Sequence, residues 1–507
     1  MTFVQLLYGA EILVQHGNPS VTGLEYDSRR VKPGDAFIAM RGESSDGNKF
    51  IDKAIAAGAV AIVTDSAAEK VREGVAWAQV QHGRRALARL SANFYKRPAE
   101  RLAVTGITGT NGKSTTAFLL ESILTAANRK SALIGTIEYH VAGKTLPAPH
   151  TTPESLDLNR ILNEALGDGA TEAVMEVSSH ALAQQRVYGI PFNAAVFTNL
   201  TRDHLDYHHT MEEYFASKQV LFEGCGTDPP RAAVLSADDE YGQKLLKISK
   251  KNGSQVLTYG LMRADFHTEK VNITPRGTRF DLVSPDGVIP LFSPLIGKVN
   301  VYNILAAAGA AYARGCKPEA IAQGVDRLAR VPGRFERVDC QQPFTVVIDY
   351  AHTDDALRNL TSLAREFVQQ AGAKARVITV FGCGGDRDRA KRPLMGEAAG
   401  RGSDFVVLTS DNPRSEDPLA IMNDAMVGLQ RSGAKYKMEP DRRTAIALAI
   451  HEAGPGDIVL IAGKGHEKVQ VTREGSIPFA DVEVAQEILR EAGYSCEAAN
   501  AATGKNS

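Results

Sequence analysis

The chain has 507 residues, of which 43% are hydrophobic and 23% are charged. Its formal net charge of −1 offers no strong field for nucleic acid or an anionic membrane, and no apolar run reaches the length of a membrane span. This length predicts roughly two to four globular domains. The N-terminus lacks a basic segment followed by an apolar stretch, so no signal peptide is expected. The five cysteines include no CxxC pair, which favours reduced thiols in a cytoplasm.

The first block, residues 1–98, mixes short strands and helices. Strands are predicted over residues 36–40 and 60–64, with a helix around residues 50–57. Lys96-Arg97-Pro98 predicts a linker, because proline ends the preceding helix.

The second block, residues 99–332, opens with a glycine-rich motif. An apolar run at residues 102–104 leads into Thr105-Gly106-Ile107-Thr108-Gly109-Thr110-Asn111-Gly112-Lys113-Ser114-Thr115, and a helical pattern follows. Strand, glycine-rich turn, Gly-Lys-Ser and helix form the layout of a phosphate-binding P-loop. Backbone N–H groups and the helix N-terminus would hold the phosphates, Lys113 would reach the β- and γ-phosphates, and Ser114 would hold Mg²⁺.

One residue of this motif departs from the general pattern. Ile107 stands where the pattern has a glycine, so the alternative is a glycine-rich turn with a chance Gly-Lys-Ser. The coincidence of strand, loop and helix signals favours the P-loop. The absence of an Asn-Lys-x-Asp motif favours ATP over GTP.

The rest of this block predicts a parallel sheet with helices on both faces. Apolar runs at residues 132–135, 173–177 and 194–198 alternate with helical segments, as in a buried parallel sheet. Residues 263–294 are rich in strand and turn signals and predict an antiparallel insertion, which an alanine-rich helix over residues 303–314 follows.

Polar residues follow two of these strands. Glu176 begins Glu176-Val177-Ser178-Ser179-His180, and a carboxylate there can coordinate the Mg²⁺ of a nucleotide. Residues 199–208 are dense in titratable and metal-capable side chains, including His204. Each histidine taken alone is more often a surface or hydrogen-bonded residue, so both interpretations stay open. By spacing alone, Lys218 is a solvated lysine.

The third block, residues 333–497, repeats the α/β rhythm. Strands are predicted over residues 345–348, 377–381, 405–409 and 458–461, and polar residues follow each one. Ligands of open α/β sheets lie beyond the carboxyl ends of strands, which predicts a second ligand site away from the P-loop. The tail, residues 498–507, is small and polar and is predicted to be disordered.

Several of these motifs together resemble the Mur ligases of peptidoglycan synthesis. The resemblance covers nearly the whole chain in order, through Thr108 to Thr115, Glu176 to His180, Asn199 to Asp206, Tyr214-Phe215-Ala216-Ser217-Lys218, Asn300-Val301-Tyr302-Asn303, Pro332-Gly333-Arg334-Phe335-Glu336 and Asp349-Tyr350-Ala351-His352. The shifted P-loop glycine is this family's own pattern. Two positions depart from the family's pattern. Tyr26 stands where a leucine is frequent, and Thr353-Asp354-Asp355 stands where Thr-Pro-Asp is usual.

The resemblance implies an α/β fold of three domains. A small α/β domain that binds UDP would span residues 1–98, a P-loop ATPase-like parallel-sheet domain residues 99–332, and a Rossmann-like domain that binds an amino acid residues 333–497.

The resemblance also implies a catalytic centre that uses ATP and Mg²⁺. Lys218 matches a lysine that such enzymes carbamylate with CO₂, and the implied Mg²⁺ ligands are Ser114, Glu176, His204 and carbamylated Lys218. The implied catalytic residues are Lys113, Glu176, His204 and Lys218. The implied ATP contacts are Gly109, Thr110, Asn111, Gly112, Lys113, Ser114, Thr115, Asn303, Arg334 and Asp349.

The implied substrate is UDP-N-acetylmuramoyl-L-alanyl-D-glutamate, to which the enzyme would add a third residue. The implied contacts are Tyr26, Ser28, Glu43, Ser44, Ser45, Thr151, Thr152, Ser178, Gln184 and Arg186.

The added residue is predicted to be meso-diaminopimelate rather than L-lysine. Asp411-Asn412-Pro413-Arg414 resembles the diaminopimelate version of the motif, and an arginine fork pairs with a carboxylate but repels an ammonium. The alternative is a turn with a solvated arginine. The expected pocket residues are Arg387, Asp411, Asn412, Pro413, Arg414, Gly463 and Glu467.

The expected activity is therefore ATP-dependent amide formation through an acyl phosphate. The enzyme is expected to be monomeric and cytoplasmic, in bacteria, with no nucleic acid or membrane partner. Two alternatives are a folylpolyglutamate synthetase, which shares the P-loop, and a P-loop regulator that performs no chemistry.

Overall fold

The computed structural model describes residues 1–42, 45–67, 73–371 and 374–496. Three domains follow one another along the chain, each built on its own main sheet, which confirms the predicted α/β class. The domain boundaries at residues 98 and 332 stay predictions. The predicted disordered tail lies outside the described residues.

The N-terminal domain contains a five-stranded sheet in the order β1-β5-β4-β3-β2, in which only β1 is antiparallel to its neighbour. Its strands are β1 (Ile12–His16), β2 (Gly23–Glu25), β3 (Asp35–Ala39), β4 (Ala61–Thr64) and β5 (Ala76–Val80). Its helices are α1 (Phe3–Leu6), α2 (Ile51–Ala56) and α3 (Gly83–Phe94). Apolar side chains cover both faces of the sheet.

The central domain contains an eight-stranded sheet in the order β13-β12-β11-β6-β10-β7-β8-β9. Its strands are β6 (Ala103–Thr108), β7 (Ser131–Ile134), β8 (Glu138–Val141), β9 (Lys144–Pro147), β10 (Glu172–Glu176), β11 (Phe192–Phe197), β12 (Ala232–Ser236) and β13 (Gln255–Tyr259). Its helices are α4 (Lys113–Ala126), α5 (Ser155–Gly167), α6 (Ser179–Ala183), α7 (Leu205–His208), α8 (Met211–Glu223), α9 (Glu240–Lys251), α10 (Lys298–Ala313) and α11 (Pro318–Arg327).

The parallel part of this sheet is buried on both faces, as its unbroken apolar strands predict. The sequence did not indicate β8 and β9, which extend the sheet as an antiparallel hairpin. The predicted antiparallel insertion is confirmed as a three-stranded sheet of β14 (His267–Thr274), β15 (Gly277–Ser284) and β16 (Gly287–Ser293).

The C-terminal domain contains a six-stranded sheet in the order β17-β18-β22-β19-β20-β21, antiparallel only at β17. Its strands are β17 (Glu336–Val338), β18 (Thr345–Asp349), β19 (Val377–Phe381), β20 (Phe405–Leu408), β21 (Tyr436–Met438) and β22 (Ile458–Ala462), followed by a hairpin of β23 (Val469–Thr472) and β24 (Gly475–Pro478). Its helices are α12 (Asp354–Ala371), α13 (Lys391–Gly402), α14 (Pro418–Ser432), α15 (Arg442–Glu452) and α16 (Asp481–Glu491).

The strand orders determine where functional residues meet. In the central sheet β6 lies between β11 and β10, so the loop after β6 is flanked by the residues that follow those two strands. In the C-terminal sheet β18, β22, β19 and β20 are consecutive and parallel, so their polar carboxyl ends share one edge.

The expectation of five reduced thiols is wrong for one pair of cysteines. The structure joins Cys340 and Cys496 by a disulfide, while Cys225, Cys316 and Cys383 are free and buried. The paired residues are 156 positions apart, so their spacing carried no signal. They meet because α16 packs on the C-terminal sheet, of which β17 is an edge strand.

Among the residues that the structure describes, no helix combines the length and the apolar composition that a membrane crossing requires.

Candidate active site

The loop between β6 and α4 has a backbone shape that only glycine tolerates at two positions. Gly109 has φ 149° and Gly112 has φ 87°. A Cβ atom on Gly109 would collide with the Thr198 hydroxyl, and one on Gly112 would collide with the Asn303 amide oxygen. The Thr198 hydroxyl also donates to the Asn111 carbonyl at 2.7 Å, so the end of β11 holds the loop in place. The result is a preformed anion cradle at a helix N-terminus.

Two side chains of the P-loop turn back toward its own backbone and its neighbours. Lys113 Nζ donates to the carbonyls of Gly109 at 3.0 Å and Thr110 at 2.9 Å. Burial lowers the pKa of Lys113, and the charges of Glu176 and Asp203 oppose that shift. The buried Ser114 hydroxyl accepts a hydrogen bond from Arg334 Nη2 at 3.3 Å, which links the loop to the C-terminal domain.

Lys218 is buried, so the spacing-based expectation of a solvated lysine was wrong. Its residue is 1% exposed, its Nζ donates to the Gly109 carbonyl at 2.9 Å, and it lies 4.6 Å from the centre of the Tyr214 ring. Burial, together with the nearby charge of Lys113, holds the pKa of Lys218 well below its usual value. A neutral amine is the form of lysine that can attack CO₂, so this environment suits carbamylation.

Glu176 lies at the end of β10 and is held by Thr136, a residue that the sequence did not single out. Its two carboxylate oxygens accept hydrogen bonds from the Thr136 N–H at 2.8 Å and the Thr136 hydroxyl at 2.9 Å. The Thr151 hydroxyl is 3.1 Å from that of Thr136. The Thr152 hydroxyl donates to the Glu176 carbonyl at 2.9 Å. Glu176 is thus fixed beside two residues predicted to contact the dipeptide.

His204 precedes α7 in a left-handed conformation, with φ 55°. Burial, together with the charges of His180 and Lys218 and against that of Asp203, lowers the pKa of His204 to about 3. The imidazole is therefore neutral at physiological pH, the form in which histidine binds metals.

These residues suit Mg²⁺ better than a metal held by protein ligands alone. No group of three His, Cys, Asp or Glu side chains is arranged to hold a metal in the described ranges. Mg²⁺ commonly uses one or two carboxylates and completes its shell with water and phosphate oxygens. Glu176, neutral His204 and the Ser114 hydroxyl fit such a site, and a carbamate on Lys218 would add a further oxygen ligand.

The predicted nucleotide contacts outside the P-loop lie at the junction of the central and C-terminal domains. Asn303 on α10 donates to the Asn300 side chain at 3.0 Å, and the Arg334 guanidinium lies 4.5 Å from the centre of the Tyr350 ring. Asp349 accepts the N–H groups of Phe335 at 2.7 Å and Ala351 at 2.8 Å. A cleft of about 230 Å³ beside them is lined by residues that include Ile296, Asn300, Arg330, Arg334 and Phe335.

The predicted uridine-diphosphate contacts surround a cleft of about 450 Å³ in the N-terminal domain. Its lining includes Tyr26, Ser28 and Ser45. The Tyr26 hydroxyl donates to Asp157 of α5 at 2.9 Å, which connects this domain to the central one. Glu43 and Ser44 lie outside the described residues.

Arg186 connects the remaining dipeptide candidates. Its guanidinium donates to the Thr152 carbonyl at 3.0 Å and to the Gln184 side chain at 2.6 Å, and it lies 3.0 Å from Glu154. The Ser178 N–H donates to the Thr152 hydroxyl at 3.1 Å. The structure therefore brings Thr152, Ser178, Gln184 and Arg186 together beside Glu176.

The predicted amino-acid pocket lies at the carboxyl edge of the C-terminal sheet. Arg414 has φ 52°, and its Nη1 donates to the Gly385 carbonyl at 2.7 Å. Burial lowers the pKa of Arg414, and the neighbouring Arg387 lowers it further. Two arginines this close to each other favour an anionic ligand. Gly463 donates its N–H to the Asp349 carbonyl at 3.0 Å, and Pro413 packs against Gly385.

The side-chain amide of Asn412 forms its hydrogen bonds with other residues of the protein. Its Nδ2 donates to Glu467 at 2.7 Å, and its Oδ1 accepts from Lys464 Nζ at 3.1 Å and from the Val471 N–H at 2.9 Å. Asp411 accepts the Asn412 N–H at 2.6 Å. Asn412 therefore orients Glu467 and the β23 segment around the pocket.

Three buried cations that the sequence did not assign support this pocket. Lys464 also pairs with Glu467 at 3.0 Å. Arg392 donates to the Gly384 carbonyl at 3.3 Å and pairs with Glu416 at 2.7 Å. Arg442 pairs with Asp481 at 2.7 Å and donates to the carbonyls that precede Asp411 and Gly463. Nothing in the local sequence distinguished these residues from solvated ones.

Comparisons with known proteins identify a family. Models described as "Mur ligase family, catalytic domain", "Mur ligase middle domain" and "Mur ligase, glutamate ligase domain" match residues 20–95, 107–311 and 333–465.

Several similar proteins carry the name UDP-N-acetylmuramoyl-L-alanyl-D-glutamate--2,6-diaminopimelate ligase. The protein of that name from Solibacter usitatus (strain Ellin6076) is 56% identical over 475 residues, which are 94% of each chain. The one from Geobacter metallireducens (strain ATCC 53774 / DSM 7210 / GS-15) is 46% identical over 491 residues, covering 93% of this chain and 94% of that protein. A solved structure of that name is 34% identical, has a TM-score of 0.65, and covers 94% of this chain and 96% of that chain. The chain belongs to the Mur ligase family.

Proposed function

We propose that this chain is an ATP-dependent ligase that adds meso-diaminopimelate to UDP-N-acetylmuramoyl-L-alanyl-D-glutamate in peptidoglycan precursor synthesis. One observation carries the proposal: the P-loop cradle of the central domain contacts the C-terminal domain through Arg334, and that same domain carries a second pocket with two arginines. A P-loop protein that only binds nucleotide has no need for such a second site. The relatives of 56% and 46% identity bear the name of this activity.

The reaction proceeds through an acyl phosphate. The γ-carboxylate of D-Glu takes the γ-phosphoryl group of ATP. The diaminopimelate amine then attacks the acyl carbon, and the tetrahedral intermediate collapses to amide and phosphate. ADP is released as the other product.

The residues of the chain divide this work between them. Lys113 and the P-loop N–H groups neutralise the charge of the transferring phosphoryl group. Glu176, His204, Ser114 and a carbamate on Lys218 would hold Mg²⁺, which would supply Lewis-acid stabilisation of that charge. Thr152, Ser178, Gln184 and Arg186 orient the dipeptide, and Arg387, Arg414, Asp411 and Glu467 orient diaminopimelate.

The same proposal includes the oligomeric state, the cellular location and the partners of the enzyme. The enzyme is proposed to be a monomer. Dependence on ATP supports the bacterial cytoplasm as the place of action, and a net charge of −1 supports the absence of a nucleic acid partner.

An isotope experiment tests the proposed chemistry. With ¹⁸O in the D-Glu γ-carboxylate, one labelled oxygen is expected in the released phosphate, because the carboxylate oxygen that forms the acyl phosphate leaves with phosphorus. Mass spectrometry of phosphate and of the tripeptide product measures both outcomes. Unlabelled phosphate would indicate a different use of ATP, such as an adenylate. Nucleotide binding without ATP turnover, even with both organic substrates present, would favour a regulator, and product formation from folate substrates would favour a folylpolyglutamate synthetase.

Lys113→Ala is expected to lower kcat by orders of magnitude, because the lysine charge is needed most as the γ-phosphoryl group transfers. Binding of UDP-N-acetylmuramoyl-dipeptide should change little, because the N-terminal domain holds its uridine end. Steady-state kinetics and calorimetric binding of the dipeptide substrate measure the two effects. Equal losses of turnover and dipeptide binding would contradict this division of roles.

A further inference from the structure

A buried carboxylate of the central domain faces two side chains of the C-terminal domain. Asp203, in the segment between β11 and α7, is 4% exposed. Its Oδ1 lies 3.3 Å from Lys391 Nζ, and its Oδ2 lies 3.6 Å from His352 Nε2. Oδ2 also lies 3.4 Å from Nε2 of His204, the adjacent residue. Asp203 therefore touches both the catalytic centre and the opposite domain.

This contact stabilises one arrangement of the two domains. A buried carboxylate is costly unless a positive group pairs with it. If the C-terminal domain moved away, Asp203 would lose Lys391 and His352 together. The pair therefore favours the arrangement in which the two domains are in contact.

Lys391 stands where such a contact affects the amino-acid pocket. It is the first residue of α13 and lies four positions after Arg387. The next residue, Arg392, holds the Gly384 carbonyl and Glu416, which brace the loops carrying Arg387 and Arg414. The start of α13 thus touches the catalytic centre through one side chain and supports the pocket through the next.

A second ion pair also joins the central and C-terminal domains. Arg202 Nη2 lies 3.6 Å from Asp388 Oδ2, with side chains 41% and 11% exposed. Two consecutive residues of the central domain, Arg202 and Asp203, thus meet Asp388 and Lys391 of the C-terminal domain with opposite charges.

We propose that Lys391 is a positioning residue: through its contact with Asp203, it holds the amino-acid pocket at the distance from the acyl phosphate that the reaction requires. The inference rests on the ligase activity proposed above. An assay of the unaltered enzyme tests the proposed ligase activity, whereas the variants below test only the positioning role of Lys391.

Lys391→Met, in the full-length enzyme, has a matched control in Arg389→Met. Arg389 lies two residues away and pairs at 3.1 Å with Asp424, inside its own domain. Lys391→Met is expected to lower kcat by about 10²-fold, the order expected of a small misplacement of reacting groups, with KM for the dipeptide substrate unchanged. Small-angle scattering with ATP analogue and dipeptide substrate present should give a larger radius of gyration for Lys391→Met than for Arg389→Met. Lys391→Arg should retain most of the activity.

The pair of Arg202 and Asp388 gives a second test in which a charge swap can restore what the first substitution removes. Arg202→Glu should lower kcat and expand the molecule in the same direction, and adding Asp388→Arg should restore both. This swap decides the matter if Lys391→Met does not fold. Equal effects of Lys391→Met and Arg389→Met would overturn the proposal. If Lys391→Met lost activity at an unchanged radius of gyration, the proposal would also be overturned, because Lys391 would then contact the reactants directly.

Discussion

Lys218→Ala is expected to abolish ligation while the protein remains folded. Lys218 lies buried against the Gly109 carbonyl and the Tyr214 ring, so the truncation removes the proposed carbamate ligand without removing a surface contact. Stabilisation by a bound metal is worth several kcal/mol, and each factor of ten corresponds to about 1.4 kcal/mol, so activity should fall by roughly 10³-fold or more. Product formation and thermal unfolding measure the two parts of this prediction.

Acetate and a second lysine variant separate the carbamate from a simple loss of charge. Acetate should partly restore the activity of Lys218→Ala, because a small carboxylate can fill the vacated space beside Mg²⁺. Lys244→Ala is the matched control: Lys244 also lies over a tyrosine ring, at 4.3 Å, but on the exposed helix α9. Lys244→Ala should behave like the unaltered enzyme. Full activity of Lys218→Ala without additives would rule the carbamate out.

Arg414→Ala is expected to raise KM for meso-diaminopimelate steeply and to leave KM for ATP nearly unchanged. Arg414 lies beside Arg387 in a half-buried pocket, and a site built to pair with a polar group can reject an analogue that lacks it by ~10⁴-fold. Removing one partner of a buried charge pair costs about 3–5 kcal/mol. Discrimination against L-lysine should therefore shrink, both by loss of the preferred substrate and by relief of repulsion.

Two further variants test this assignment. Arg414→Lys should not restore full activity, because an ammonium cannot reproduce the two parallel hydrogen bonds of a guanidinium. Arg473→Ala is the control, since Arg473 donates to the Ser415 carbonyl from the surface of the same region. Competition kinetics with both amino acids measures the preference. An unaltered enzyme that prefers L-lysine, or normal diaminopimelate kinetics in Arg414→Ala, would make Arg414 only a turn residue.

Lys218 and Asn412 show how far local patterns reach. Helical spacing predicted a solvated lysine at 218, and only the resemblance to Mur ligases indicated a role in catalysis. The structure buries Lys218 because α8 packs beside the P-loop, a contact between segments 109 residues apart. The contact of Asn412 with the amino acid stays a prediction, but no local pattern indicated that Lys464, Glu467 and Val471 bind its amide. Those hydrogen bonds depend on how β20, β22 and β23 come together.

The sequence by itself determined the features that depend on neighbouring residues. A strand, the turn from Gly109 to Gly112 and the helix from Lys113 are contiguous, so their order alone predicts a phosphate cradle. Apolar runs followed by polar residues likewise predicted the strands and their ligand-bearing ends.

Tertiary structure alone decided the features that join distant segments. The disulfide between Cys340 and Cys496, the support of the pocket by Arg442, and the meeting of Asp203 with Lys391 all unite residues far apart in the chain. The physical reason is that burial and pairing depend on which elements become neighbours in the sheets and at the domain junction, and no local pattern encodes that adjacency.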